Sequence, residues 1–375
     1  MSWVLTIAGI MALIVLHELG HFFAAKAVGM RVERFSLFFP PKLIGIKRGE
    51  TEYMIGAIPA GGYVKITGMS PVELTQLDLR LADRSYYLQH PWKRMFVILA
   101  GPAVNLAIAF AIFWAVLLAG SPSGSIVLER LNPKVPTVRS STSVLAVESG
   151  TPAAGKLHVG DRIVAVDGRS VPAKPAAGIE SVRAAIDSHR CAGALREGCR
   201  AAKPVAVTVL REGQRRTVPV YPVYSARAKR MLLGFGFGTP KSFAPGAGAS
   251  AALGEIWHTT TGTVSGFGRA LTQPKVRKEV SSIVGITAAS QETVKEGPGK
   301  ALVFLGYISL VLAVINLFPF LPLDGGHLLW SLLEHLRGGR RVSVGAMYRY
   351  SSVGIILLLF LVVNGISNDI SRLTG

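Results

Sequence analysis

The sequence predicts an α-helical integral membrane protein with about four transmembrane helices, a membrane-associated β-hairpin, and an inserted, mainly β domain outside the cytoplasm. Three observations carry that fold class. Half of the 375 residues are hydrophobic, 17% are charged and the mean hydropathy is +0.41, a composition too apolar for an ordinary soluble enzyme. Four apolar runs are candidates for crossing a bilayer: Trp3 to Val28, Met95 to Leu118, Ala301 to Leu323, and the shorter Val353 to Val363 with its flanks. Between the second and third runs the composition becomes mixed, with short alternating strands and glycine turns. The expected boundaries are a membrane core over 1–120, the inserted domain over 121–228, a linker with an amphipathic membrane-surface helix over 229–300, and a second membrane core over 301–375.

The first run is expected to stay as a span, because no basic residue precedes it and its apolar stretch exceeds that of a cleaved leader. The formal net charge of +19 raises the question of nucleic acid, and the position of the charge answers it. Ten Lys and Arg fall between Arg31 and Arg94, and four between Arg337 and Arg349. If all four runs cross, both stretches lie on one side, and both are short enough for the positive-inside rule to make that side cytoplasmic. Both termini and the 121–300 segment then lie outside. That segment is basic too, but long segments translocate largely regardless of charge. Its charge reads as a solvated face near anionic lipid, so the lipid bilayer is the expected partner and nucleic acid is not.

Within the first run stands His17-Glu-Leu-Gly-His21. A charged side chain in hydrocarbon costs on the order of 3 kcal/mol, so three ionisable residues in five positions need a reason to be there, and a metal ion supplies one. On a helix, His17 and His21 share a face at a separation suited to a common tetrahedral Zn²⁺, with Glu18 in reach of the water that zinc acidifies. This is the H-E-x-x-H pattern of zinc hydrolases. Polar residues facing a helix bundle without metal are the alternative. With the N-terminus outside, His17 follows roughly 15 residues, or about 22 Å, of helix and so lies toward the cytoplasmic side. Next, Thr51 to Ile66 reads as two short strand-like runs joined by Pro59 and Gly61-Gly62, a β-hairpin that serves recognition or merely covers the site. Tyr86, Tyr87 and Trp92 sit where interfacial rings anchor. Asn105, in Gly101-Pro-Ala-Val-Asn105, puts an amide in hydrocarbon and is expected to bond between helices, with catalysis as the second reading.

Gly120 to Gly124 marks the exit into the insert. From Ser149 to Val171, then from Val205 to Gln214 and Arg216 to Val220, short alternating strands are punctuated by turns at Gly160-Asp161, Asp167-Gly168 and Glu212-Gly213. This pattern resembles a PDZ domain, with Lys156 and His158 interrupting the usual small and apolar residues. The resemblance implies binding of peptide ends by strand addition, hence a gate or a reader of substrate termini; a spacer with a blocked groove is the other reading. Cys191 and Cys199 are the only cysteines. On an exported domain the pair suggests a disulfide, and with no nearby His pair it is not a zinc site. Leu253 to Leu271 carries Ile256, Trp257, Val264 and Phe267 at roughly helical spacing, which suits a helix on the outer membrane surface and core packing equally.

The third run ends in Asn316-Leu-Phe-Pro-Phe-Leu-Pro-Leu-Asp-Gly-Gly-His327. Pro319 and Pro322 break the helix, which at membrane depth is tolerated only where protein or a water-filled cavity satisfies the freed backbone. Asp324 lies at the inner end of a run that travels inward, the level reached by His17 and His21. Two His and one carboxylate leave the fourth position of a single zinc open for water. His327 competes as ligand, but its place after the break favours a polar rim residue.

Taken in order, His17 to His21, Gly101 to Asn105, the PDZ stretch and Asn316 to His327 resemble bacterial site-2 proteases, intramembrane zinc metalloproteases of the regulator-of-sigma-E type with one PDZ domain. The resemblance covers nearly the whole chain. It implies a zinc metalloendopeptidase of the bacterial inner membrane with one Zn²⁺ on His17, His21 and Asp324, and with Glu18 as base then acid. Its substrate would be a single-span membrane protein, either an anti-sigma factor already trimmed outside or a signal-peptide remnant, in regulated intramembrane proteolysis. Asn316 would contact substrate or the transition-state oxygen. The hairpin residues Ile58, Gly61, Gly62, Tyr63 and Val64 would hold the unwound segment as an added strand. Two departures stand out: Leu321 occupies the place of the family's second proline, with Pro322 following, and Ser281-Ser282 replaces a Gly-Pro pair. The reading from another class is a catalytically inactive membrane PDZ scaffold, which would be expected to have lost Glu18 or a ligand; none is lost.

Overall fold

The computed structural model describes residues 2–69, 73, 78–121, 138–148, 150–278, 282, 285–286, 293, 298–321 and 323–374. The expectations at Ser149, Ser281 and Pro322, and at most of the exit segment after Gly120, lie outside the described residues. In chain order the main elements are α1 (Ser2–Ala27), β1 (Val32–Arg48), β2 (Thr51–Ile66), α2 (Pro91–Ala119), β3 (Val138–Val147), β4 (Arg162–Val166), β5 (Arg169–Ser170) and α3 (Pro175–Asp187). There follow β6 (Val205–Arg211), β7 (Gln214–Val220), β8 (Val223–Ser225), β9 (Arg230–Leu232), β10 (Phe235–Pro240), α4 (Pro245–Thr272), α5 (Pro298–Asn316), α6 (Asp324–Leu336) and α7 (Val344–Thr374). Among the described residues, four helical stretches are long and apolar enough to cross a membrane: Ile7–Ala27, Pro91–Ala119, Gly299–Asn316 and Gly345–Arg372. This is a multi-pass membrane protein. The chain forms two compact units, one of Met1–Ile112, Ile256–Gln291 and Phe304–Gly375, the other of Phe113–Glu255 and Glu292–Val303.

In the first unit, α1 ends where Gly29 turns left-handed at φ +82° and the Met30 N–H reaches back to the Ala25 carbonyl at 2.9 Å. The strand structure then begins at Val32, well before the expected hairpin. Residues 34–37 are flanked on one side by 62–65 and on the other by 52–55. The bend comes at Glu50, whose carboxylate is gripped by Arg84 and Lys26 and pulled down to about 2. Phe22, Ala25, Met30, Val32, Ile66, Tyr86, Val97 and Ile98 form a buried seam joining α1, the strands and α2. Tyr86 and Tyr87 are therefore core residues, 2% and 7% exposed, whereas Trp92 at 51% keeps the outward position expected of an anchor. The third span stops at Asn316 rather than Leu323: residues 317–321 leave the helix, and a new helix, α6, starts at Asp324. The short fourth run grows into a 31-residue helix as its polar flanks continue the same turns.

The second unit contains an antiparallel sheet in the order β10-β3-β4-β6-β7, with β5 on β4, consistent with a PDZ-like insert. Its turns follow from sequence: Asp167 and Gly168 at φ 48° and 77°, and Glu212 and Gly213 at φ 51° and 80°, supply the paired left-handed residues of a two-residue hairpin. Val144, Ile163, Val182, Val205, Val207, Val209 and Leu233 close an aliphatic core between sheet and α3. Asp161, 1% exposed, accepts from the Arg211 guanidinium and from the His158 N–H. Burial alone would raise its carboxyl, but those donors hold it below the usual carboxylate range. Cys191 and Cys199 are joined by a disulfide with Cα atoms 5.9 Å apart, beside the bridge from Cys191 to Ala201. One sheet edge, β10, lies beyond residue 228, where its pairing with β3 across the domain is invisible to local pattern.

Candidate metal centre

His17 and His21 come from successive turns of α1, whose remaining residues are mostly apolar, and both imidazoles are buried, their side chains 7% and 9% exposed. The His21 ring is oriented from α2, with Nδ1 donating to the Val97 carbonyl at 2.8 Å, which leaves Nε2 free to ligate. That approach is possible because α1 and α2 meet at glycines. A Cβ on Gly20 would lie 2.6 Å from the Ala100 carbonyl, and one on Gly101 would lie 2.2 Å from His21 Nε2. Any side chain at Gly101 would occupy the ligand position itself.

Asp324 arrives from the other half of the unit, at the first residue of α6. Its Oδ2 lies 3.2 Å from His17 Nε2 and 3.1 Å from His21 Nε2, and the two Nε2 atoms are 3.3 Å apart. Ligand atoms about 2.0–2.1 Å from a tetrahedral zinc stand roughly 3.4 Å from one another, so this triangle has the size a zinc site requires. Hydrogen bonds alone account for it poorly. His21 already donates through Nδ1, so donating again to Asp324 would make it a cation with His17 Nε2 only 3.3 Å away. The two-nitrogen, one-oxygen donor set suits zinc and leaves a coordination position open. Among the described residues these three form the cluster able to hold one metal ion.

The Asn316 amide nitrogen lies 3.4 Å from His17 Nε2, at the margin of the triad. Glu18 faces a cavity of about 530 Å³ whose wall includes His17, His21, Asn316 and Asp324, and also Gly61, Gly62, Tyr63 and Val64 of β2. A Cβ on Gly62 would come 3.1 Å from Glu18 Cγ, so strand and helix are in direct contact. Ile58 is not brought there; it pairs with Phe39 across the sheet and is 50% exposed. His327 stands outside the triad and sets its ring edge-on to Tyr86 at 6.0 Å. Asn105 is fully buried and its backbone carbonyl accepts from Ser309 at 2.8 Å, while neither amide atom has a partner among the described residues. The interhelical bond therefore runs through the backbone and not through the expected amide. Val97 carries no signal in the sequence; Gly20 and Gly101 each stand in a motif noted above, but their importance lies in the side chain they lack.

The profile of peptidase family M50 matches residues 5–361 of this chain. The zinc metalloprotease Rip1 of Mycobacterium tuberculosis is 31% identical over 367 residues, spanning 91% of this chain and 88% of that protein. Rip1 of Mycobacterium bovis matches to the same extent, and a protein of Agrobacterium fabrum is 30% identical over 97% of this chain and 94% of its own length. A His-His-Asp triad, its two histidines on a candidate membrane span and its carboxylate at the start of α6, and a match along almost the full length lead to one assignment: the chain belongs to peptidase family M50, the intramembrane zinc metalloproteases of the site-2 type.

Proposed function

We propose that this protease cuts single-span membrane proteins, of the anti-sigma-factor or signal-peptide-remnant class, at a site where His17, His21 and Asp324 hold the zinc and Glu18 moves the proton. One observation carries the reading: a single cavity is bounded by the triad, by Glu18 and by strand residues 61–64. Zinc bound there supplies Lewis acidity toward the scissile carbonyl and the attacking water. Glu18 takes a proton from that water and returns it to the leaving amine. Asn316, at the margin of the triad, offers an amide N–H to the developing oxyanion. A substrate helix shields its own amides and must unwind first. Residues 62–65 pair with 34–37 on one side, and the opened segment adds along the cavity side as a further strand.

Basic residues between Arg31 and Arg94 and between Arg337 and Arg349 support a cytoplasmic location for both stretches, with the sheet unit and both termini outside. The Cys191–Cys199 disulfide suits an oxidising exterior. The PDZ-like sheet would then meet what protrudes outside, as a gate or a reader of trimmed ends.

The test is cleavage of a panel of single-span substrates by the full-length protein in liposomes, with each cut mapped by mass spectrometry. Cuts within or at the edge of the apolar span are expected, and Val64→Pro should slow every substrate about tenfold by removing an N–H and bending the strand. Cuts confined to soluble tails would contradict the substrate class. A full rate for Val64→Pro would make the strand a cover.

A further inference from the structure

The helix that carries Asp324 is built inside out. Asp324, His327, Ser331 and Glu334 recur at helical spacing, so α6 presents a polar stripe. That stripe faces inward, with Ser331 2% and Glu334 6% exposed, while Leu332 and Leu336 are 42% and 72% exposed. Its N-terminus has no side-chain cap and follows a non-helical stretch. It is seated by Gly325, where a Cβ would lie 2.2 Å from the Leu317 carbonyl. A seat at one end fixes a point but leaves the roll and tilt of a 13-residue helix to be set elsewhere.

Arg94 sets them. Its guanidinium donates to the Glu334 carboxylate in the last turn of α6, with side chains only 3% and 8% exposed. The Tyr87 ring lies beneath this pair, 5.4 Å from the Arg94 guanidinium and 5.5 Å from that of Arg341, and Arg341 also reaches Glu334 at 3.8 Å. Arg94 stands one turn from Val97 on α2, and the Val97 carbonyl orients His21. The same turn of α2 thus grips both halves of the triad, His21 directly and Asp324 through about 15 Å of helix.

We propose that the buried Arg94–Glu334 ion pair is a positioning device that sets the Asp324 carboxylate against His17 and His21. The proposal rests on the assignment of those three residues as the metal ligands. A buried pair in a membrane bundle is expensive to assemble, and a hydrophobic contact would join the helices as firmly; what the pair adds is a fixed register and roll.

The test uses the full-length protein in detergent, with Zn²⁺ affinity measured by chelator competition and the Co²⁺ visible spectrum as a report of ligand geometry. Arg94→Met and Glu334→Gln should each weaken zinc about tenfold or more and shift the Co²⁺ bands, as removal of groups that orient ligands does elsewhere. Arg94→Glu combined with Glu334→Arg should recover most of both. If Arg94→Met fails to fold, Arg94→Lys, which keeps the charge but loses the planar fork, carries the test and should show a smaller shift of the same kind. Wild-type affinity and spectrum in a folded Arg94 variant would overturn the proposal. Asp324→Asn is measured alongside. Zinc retained there at wild-type affinity would refute the ligand assignment, whereas zinc lost there and kept in the Arg94 variants would refute the positioning role alone.

Discussion

The two units of this protein differ most in how many polar groups they bury. The sheet unit closes Val144, Ile163, Val205, Val207 and Leu233 into an aliphatic core. The membrane unit gathers His17, His21, Arg94, Asn105, Ser331 and Glu334 inside, and leaves Ile356, Leu359 and Val363 outward at 65%, 56% and 63% exposure. The difference lies in the solvent each unit faces. Water drives the sheet unit to hide apolar groups. Lipid gives no such drive, so the membrane unit can hold its helices together through polar contacts and close glycine packing and keep a reactive site within.

If that contrast is right, the largest effect of a single polar change belongs to the interior of the membrane unit. Glu18→Gln should lower proteolysis about a thousandfold while the protein stays folded and loaded with zinc. Measured turnover near wild type would return Glu18 to the role of a mere wall residue. The next comparison uses two equally exposed apolar residues. Leu359→Asp, at 56% exposure on α7, should cost about 3 kcal/mol of membrane insertion. Val159→Asp, at 54% exposure in the sheet unit, should change stability by less than about 0.5 kcal/mol. An insertion assay for the first and thermal unfolding for the second check the pair. Equal responses would erase the distinction between lipid-facing and water-facing surface.

A smaller effect is expected where the sheet unit buries a charge. Arg211→Met leaves Asp161 unpaired and should destabilise that unit by about 2 kcal/mol, discounted because the Arg211 side chain is 20% exposed. Because the folded Asp161 carboxyl titrates below its ordinary 3.8, the pair's contribution is complete above that pH and is lost as pH falls through the lower folded value. Amide-exchange protection of Arg162–Val166 and Val205–Arg211 should fall over that range in wild type and be flatter in Asp161→Asn. Identical profiles would show that Arg211 does not stabilise the ionised carboxylate.

Much of the site was legible in the sequence because its logic is local or follows from membrane depth. The spacing of His17 and His21 is a helical fact, and Asp324 stands out as a carboxylate at the end of a proline-broken span. Contacts made by the absence of a side chain, such as Gly101 against His21, carry no chemical signature. Arg94 and Glu334 read as ordinary charges until tertiary structure joins residues 240 positions apart. The early strand from Val32 leaves little mark in the sequence because Pro40-Pro41 interrupts its pattern, while pairing on two flanks stabilises it. Nearness to a span suggests anchors at Tyr86 and Tyr87, but packing against the core buries both rings.

Two histidines four residues apart and an aspartate some three hundred residues further on form one zinc site inside the membrane unit, and metal analysis of the purified full-length protein tests this most directly. Wild type and Glu18→Gln should each hold about one zinc per chain, while His21→Ala and Asp324→Asn should weaken zinc binding about tenfold or more with the fold intact. Zinc retained at wild-type affinity in Asp324→Asn would contradict the account.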